Sequence, residues 1–338
     1  MTVDAAPGAA AGAAPGAAPI DLGGALPALV TPLTDPTTLD PVGIGDLVRR
    51  AVTDGASGVL VAGTTGEGSL LEPEQREQLT ALARAAIADL RTDAAPVLLA
   101  GASGSSLSAL HADVARLGAA GADAVLVLPP ALQPLTPDEV ADLHLAVAER
   151  AAVPTLAYHI PQLTGCPLTP DAVRRIAAHE RIIGMKDSSP DADRRAAFVA
   201  VAAGVDDFAV LTGHAPTLAA ALVAGAAGSI TAVANVRLRQ IVALHARVAS
   251  GAGPPVAGGG ERADDADMVA AGQDGEVARL QAGLTRLTAG IGAVGASVPA
   301  VLKAALQLDG ILRERWCTPP LASVPGSRLD HVRTALLR

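Results

Sequence analysis

Two polar side chains stand where an apolar chain has no ordinary use for them. The run Ile182-Ile-Gly-Met185 leads straight into Lys186, and Val153-Pro-Thr-Leu-Ala157 leads into Tyr158, the only tyrosine among 338 residues. Short apolar runs of this kind read as strands buried on both faces, and a lysine there needs a reason. An amine held in apolar surroundings has its charged form disfavoured, which frees it to condense with a carbonyl as a Schiff base. The iminium is an electron sink for making or breaking a carbon–carbon bond, and a phenol beside it can move the protons. The plainer reading of Lys186 is a solvated residue just past a strand end. Tyr158 argues against that, because a lone phenol in a chain with 1% aromatic residues is hard to read as filler. A third feature, Gly63-Thr-Thr-Gly-Glu67, offers hydroxyls and backbone N–H groups in a tight turn, either a cradle for a small carboxylate or an ordinary glycine turn with polar filler.

The elements that must position these groups follow from hydrophobic period. From Leu26 onward, short apolar runs alternate with longer stretches of helical spacing. The strand candidates are 26–30, 58–61, 96–100, 124–128, 154–158, 182–186, 208–212 and 228–231. Thr136-Pro-Asp-Glu139 is a capping box with proline at the first helical position, and Thr169-Pro-Asp171 starts the next helix the same way. Glu72-Pro-Glu74 puts acidic groups at the positive end of another helix dipole. Continuously apolar strands and one-sided helices describe a parallel sheet, and eight such units close into a (β/α)₈ TIM barrel of about 250 residues. An open doubly wound sheet is the runner-up, but it wants a phosphate-type glycine fingerprint after its first strand, which Thr31-Pro-Leu-Thr34 is not. In a barrel the C-terminal strand ends gather the site: Thr31, Gly63–Glu67, Gly101–Ser103, Pro129 and Pro130, Tyr158, Lys186, Gly213 and Ile230. Gly184, one layer below Lys186, is expected to leave room for the long side chain to lie across the barrel mouth.

Gly63-Thr-Thr-Gly-Glu67, Tyr158-His-Ile-Pro-Gln-Leu-Thr-Gly165 and Gly184-Met-Lys-Asp-Ser188, in that order and at these strand ends, resemble the three signatures of the dihydrodipicolinate synthase/N-acetylneuraminate lyase family. The resemblance covers roughly Ala25 to Ser250 and, more weakly, the C-terminal helices. It implies a class I aldolase-type lyase working without a cofactor, in which Lys186 forms the Schiff base with pyruvate or another 2-oxo acid. It further implies that Tyr158 donates and accepts protons with Thr64 as relay partner, that Thr65 and Ile230 contact the keto acid, and that the backbone of Gly213 faces the acceptor. Two departures bear on the second substrate. Leu163 stands where the synthases usually carry an arginine that clamps the carboxylate of aspartate semialdehyde, and leucine cannot do that. The loop Leu128-Pro-Pro-Ala-Leu132 also lacks the tyrosine pair of the synthases. The favoured reading is therefore cleavage or dehydration of a 4-hydroxy-2-oxo acid or a 2-keto-3-deoxy sugar acid. The synthase reaction stays as the alternative, as does a keto-acid-binding regulatory protein without turnover.

Composition bounds the rest. A net charge of −9 and a pI near 5.2 argue against nucleic acid or an anionic membrane as partner. Two cysteines, Cys166 and Cys317, fit a reducing cytoplasm, and seven scattered histidines show no paired spacing, so no metal is expected. No apolar run approaches the roughly 20 residues of a membrane span. Residues 1–25, mostly Ala, Gly and Pro, are expected to be a disordered tail, 26–250 the barrel, 251–274 a disordered insertion and 275–338 a helical appendage of the kind that helps build a homo-oligomer, dimer or tetramer. Trp316 and Cys317 are expected to pack in the core of that appendage.

Overall fold

The structure is a computed structural model that describes residues 19–90, 96–251 and 275–336. The expected tail up to residue 18, and the expected insertion from residue 252 to 274, lie outside the described residues. Eight parallel strands carry the architecture: β1 (Gly24–Pro27), β2 (Gly58–Val61), β3 (Val97–Ala102), β4 (Ala124–Val127), β5 (Thr155–His159), β6 (Ile182–Asp187), β7 (Ala209–Thr212) and β8 (Gly228–Thr231). They neighbour one another in chain order, β1 pairs with β8, and a single parallel bridge from Ala28 to Leu60 joins β1 to β2 and closes the ring. The fold is a (β/α)₈ barrel. β1 begins two residues before Leu26, with Leu22 and Ala25 already buried, so the chain enters the core earlier than its Ala/Gly composition suggests.

The helices around the ring are α1 (Pro41–Thr53), α2 (Pro73–Ala88), α3 (Leu107–Ala119), α4 (Pro137–Arg150), α5 (Pro170–Ala177), α6 (Ala192–Ala202), α7 (Leu218–Val223) and α8 (Ala234–Ala249). Their start signals work as read. The Thr136 amide donates to the Glu139 carboxylate at 2.8 Å while the Glu139 amide donates to the Thr136 hydroxyl at 3.3 Å, and the Ala172 amide donates to the Thr169 hydroxyl at 3.2 Å. Side-chain alternation divides the core in two. Leu26, Leu60, Leu99, Leu126, Leu156, Tyr158, Leu211 and Ile230 fill the inside of the ring, while the opposite faces of the strands pack on the helices.

Between β1 and α1 a small hairpin, Leu33–Asp35 with Thr38–Leu39, is one that hydrophobic period does not announce, because strands this short hold no period. After α8 come α9 (Gly275–Ala293), α10 (Val298–Leu308) and α11 (Leu329–Leu336). Nearly every residue of α10 is buried, and it belongs to the same apolar cluster as α1, α2 and α8. No single helix among the described residues is long and apolar enough to cross a membrane; α9 and α10 reach that length only across a 107° bend. Cys317 is buried as expected, but Trp316 is 41% exposed and contributes to the core only through its carbonyl, which accepts from Lys303.

Candidate active site

A bulge sets the site. Thr155 pairs with Ile182, but the next pairs are Leu156 with Gly184 and Tyr158 with Lys186, so β6 inserts one extra residue against β5. Without that insertion Tyr158 would stand opposite Met185, and since successive side chains alternate faces, phenol and amine would lie on opposite sides of the sheet. With it, both groups point into the mouth of the ring. Lys186 Nζ donates to the Tyr158 hydroxyl at 3.2 Å and lies 4.3 Å from the centre of its ring, and that hydroxyl sits 3.3 Å from Thr64 Oγ1. Lys186 and Tyr158 are each 4% exposed. Burial pushes the Tyr158 phenol up; the charge of Lys186 opposes it, with hydrogen bonds from Thr64, Lys186 and Ser188, and the balance leaves the phenol below its usual value.

Glycines make the space, though not as expected. A Cβ on Gly184 would lie 2.4 Å from the Ala209 carbonyl oxygen, so Gly184 serves the close approach of β6 to β7 rather than the lysine. Room for the lysine comes from Gly213, where a Cβ would fall 2.0 Å from Ser188 Oγ and 3.0 Å from Lys186 Cε. Thr65 is buried in the turn after β2, whose two ends are strained: Ala62, before it, has φ 52° and Glu67, at its end, φ 60°, the left-handed region that non-glycine residues rarely adopt. Ile230 is fully buried in the inner layer beside Tyr158 and Leu211. A narrow cleft lies between Gly63, Thr64, Gly101, Leu128 and Tyr158. Thus Lys186, Tyr158, Thr64, Thr65, Ile230 and Gly213 gather at one end of one ring.

Behind this face stand buried charges to which no sequence reading gave a role. Asp187, next to Lys186 but on the outer face, takes His159 Nδ1 at 2.8 Å on one oxygen and Arg195 Nε at 2.9 Å on the other. Burial alone would raise its carboxyl; the hydrogen bond from His159 and the charge of Arg195 outweigh it and hold the group below the usual carboxylate range. On the other side, Arg76 of α2 bonds both oxygens of Asp113 and the carbonyls of Gly68 and Leu71, while Asp113 accepts from the Ser103 amide at 2.9 Å. Ser188, whose amide donates to the His159 carbonyl at 2.9 Å, is the other missed neighbour of the phenol. The signal for Asp187 and His159 was their place one residue past Lys186 and Tyr158, which alternation turns outward into an apolar layer where a charge must be paired.

The rim is apolar where a carboxylate clamp would be sought. Leu163, in the short turn Pro161–Thr164 after β5, is 58% exposed, and Leu132 in the loop after β4 is 87% exposed. Two arginines near βα loops could be sought as substitutes for the clamp, and neither serves: Arg194 pairs with Asp191 at 3.4 Å at the start of α6. Arg237 lines a separate hollow on the outer wall with Arg49, Arg50 and Arg239, where it donates to the Val236 and Leu336 carbonyls.

With this geometry in place, the family model described as the dihydrodipicolinate synthetase family matches residues 21–256. The chain belongs to the dihydrodipicolinate synthetase family. It is 32% identical over 222 residues to the 4-hydroxy-tetrahydrodipicolinate synthase of Hyphomonas neptunium, covering 66% of this chain and 74% of that one. To the enzyme of the same name from Gluconacetobacter diazotrophicus it is 30% identical over 314 residues, 93% of this chain and 95% of the relative. Among solved structures, dihydrodipicolinate synthase of Bacteroides thetaiotaomicron superposes with a TM-score of 0.80 at 26% identity over 94% of this chain and 99% of the other. A prophage protein of E. coli belonging to the same family, solved in complex with pyruvate, shares the fold with a TM-score of 0.79 at 23% identity, over 94% of this chain and 98% of that one. As a member of this family the protein is an enzyme, a lyase of the class I aldolase type.

Proposed function

We propose that the protein forms a Schiff base between Lys186 and a 2-oxo acid and cleaves a 4-hydroxy-2-oxo acid, or dehydrates a 2-keto-3-deoxy sugar acid. The observation that carries this reading is the buried chain from the Lys186 amine at 3.2 Å to the Tyr158 hydroxyl and on at 3.3 Å to Thr64. Lys186 Nζ attacks the C2 carbonyl, the carbinolamine loses water with protons passed by Tyr158, and the iminium results. In cleavage the C4 hydroxyl gives up its proton to the Tyr158–Thr64 pair as the C3–C4 bond breaks. Its electrons move into the iminium, the aldehyde leaves, and the enamine is protonated at C3 and hydrolysed to release pyruvate and free lysine. Thr65 and the turn amides hold the keto acid's carboxylate, Ile230 packs on its carbon chain, and the Gly213 backbone faces the second substrate. The apolar rim at Leu163 supports a second substrate that presents no carboxylate to that position. The working form belongs to this proposal: a cytoplasmic homo-oligomer, dimer or tetramer, consistent with the two leucines exposed on the catalytic rim.

A second reading has specific support in the printed names of the curated relatives, which are 4-hydroxy-tetrahydrodipicolinate synthases. In it, pyruvate bound at Lys186 condenses with aspartate semialdehyde. Reduction by borohydride in the presence of pyruvate, followed by peptide mass analysis, tests the Schiff base and should label Lys186. Purified protein should release pyruvate from a 4-hydroxy-2-oxo acid in the presence of a chelator and form little cyclic product from pyruvate and the semialdehyde. Efficient condensation, coupled to a downstream reductase, restores the synthase reading, and loss of activity to the chelator removes class I chemistry.

A further inference from the structure

The turn that presents Thr64 and Thr65 ends at Glu67, whose φ of 60° is one that a residue with a Cβ keeps only when its surroundings hold it. Two internal bonds tie the turn together, Glu67 N to the Thr64 carbonyl at 3.1 Å and Gly68 N to the Gly63 carbonyl at 3.0 Å. Thr31 pins the turn from one side through a 2.6 Å hydrogen bond to the Gly66 carbonyl. On the other side the Glu67 carboxylate forms an ion pair with Lys303 of α10, neither side chain having any exposed surface, and accepts from the Thr318 amide. Lys303 Nζ also donates to the Trp316 carbonyl at 2.6 Å. A pair of apolar side chains of the same volume would serve stability as well as a buried ion pair, whose desolvation offsets its attraction. What the charges add is a fixed distance and direction between the end of the turn and α10.

We propose that Glu67 and Lys303 are positioning residues for the proton path, with the C-terminal helices thereby bracing the site from behind: the pair holds the left-handed end of the turn and so fixes Thr64 Oγ1 against the Tyr158 hydroxyl. The inference rests on the reading of Tyr158 and Thr64 given above. Arg76 and Asp113 hold the following residues, Gly68 to Leu71, but leave Glu67 itself to Lys303.

Because Tyr158 is the only tyrosine, its phenolate absorbance titrates the group without interference and reports its contact with Thr64 in the absence of substrate. Removing one charge strands the other in the core, so the test uses the neutral double variants Glu67→Gln/Lys303→Met and Glu67→Gln/Lys303→Gln, with Thr64→Val as reference. The folded double variants should ionise Tyr158 at higher pH than the wild type, in the same direction as Thr64→Val, and adding Thr64→Val to them should move it no further. Turnover of the 2-oxo-acid substrate should fall by up to roughly 10²-fold, while pyruvate and borohydride still label Lys186. A folded double variant with the wild-type tyrosine titration and wild-type kcat, whatever its melting temperature, overturns the proposal. Should wild type fail to be labelled by pyruvate while the tyrosine titration still moves, the positioning role stands and the Schiff-base reading falls.

Discussion

Lys186 and Tyr158 are coupled by a direct hydrogen bond of 3.2 Å and by the charge of the amine beside the phenol. The phenol is held below its usual value of about 10 against the opposing effect of burial, chiefly by the charge of Lys186. Ultraviolet titration of the wild type should therefore place its single tyrosine below that value. In Lys186→Met the charge is gone and burial remains, so the same titration should move above it; an unchanged titration would mean that the two groups do not share one site. Lys186→Ala should abolish labelling by pyruvate and borohydride, and appearance of label on Lys303 instead would transfer the chemistry to the wrong side of the ring. Tyr158→Phe should leave the amine labelled and slow turnover by roughly 10²–10⁴-fold, the usual loss for a general acid–base group. Gly213→Ala should impair labelling as well, since its methyl would fall on Ser188 and on the lysine side chain.

At the scale of elements, the register between β5 and β6 does the most for function, because one inserted residue turns phenol and amine to the same face. The helices answer to simpler rules of capping and amphipathy, apart from two histidines, the buried His144 on α4 and the partly buried His245 on α8, whose imidazoles burial pushes down to about 4. His144, on the buried face of α4, is wholly enclosed, and burial pushes its imidazole down to about 4 from its usual 6.5. A base whose folded value lies below its unfolded value stabilises the fold fully above pH 6.5 and loses that contribution as pH falls toward 4, where the unfolded chain binds the proton and the folded one does not. The difference between 6.5 and about 4 corresponds to roughly 3 kcal/mol. Urea melts across that window should show stability rising with pH, and His144→Phe should flatten part of the slope. An identical slope in the variant would remove His144 as its source.

Among the described residues, one ring carries three further α-helices packed against it. α10 shares the apolar cluster of α1 and α8 and is tied to the turn after β2 by the Glu67–Lys303 pair, so α9 to α11 are expected to unfold together with the barrel. Calorimetry should accordingly show a single cooperative transition; two resolved transitions would separate the helices from the barrel. The scale of the molecule also bears on the second substrate, since neither Arg194 nor Arg237 lines the cleft, and the loops after β4 and β5 carry the exposed Leu132 and Leu163. Leu163→Arg should improve any weak condensation with aspartate semialdehyde and depress cleavage of an uncharged acceptor, read as opposite changes in kcat/KM. If both move together, the rim position does not discriminate between them.

What the chain determined by itself is what local pattern encodes: eight apolar runs spaced by capped amphipathic helices, a lysine and a lone tyrosine at the ends of two of them, and a glycine-flanked threonine pair at a third. Apolar period is set by neighbours along the chain, so it is legible from the residues alone. Tertiary structure decided the rest. Whether Tyr158 faces Lys186 depends on a one-residue bulge between strands that lie more than twenty residues apart in sequence, and no local preference records it. Which glycine makes room for the lysine depends on what approaches it from the next strand, and that assigned Gly184 to packing and Gly213 to the site. The partners of Glu67, Asp187 and Asp113 come from other elements for the same reason: a buried charge takes whichever opposite charge the fold brings within reach.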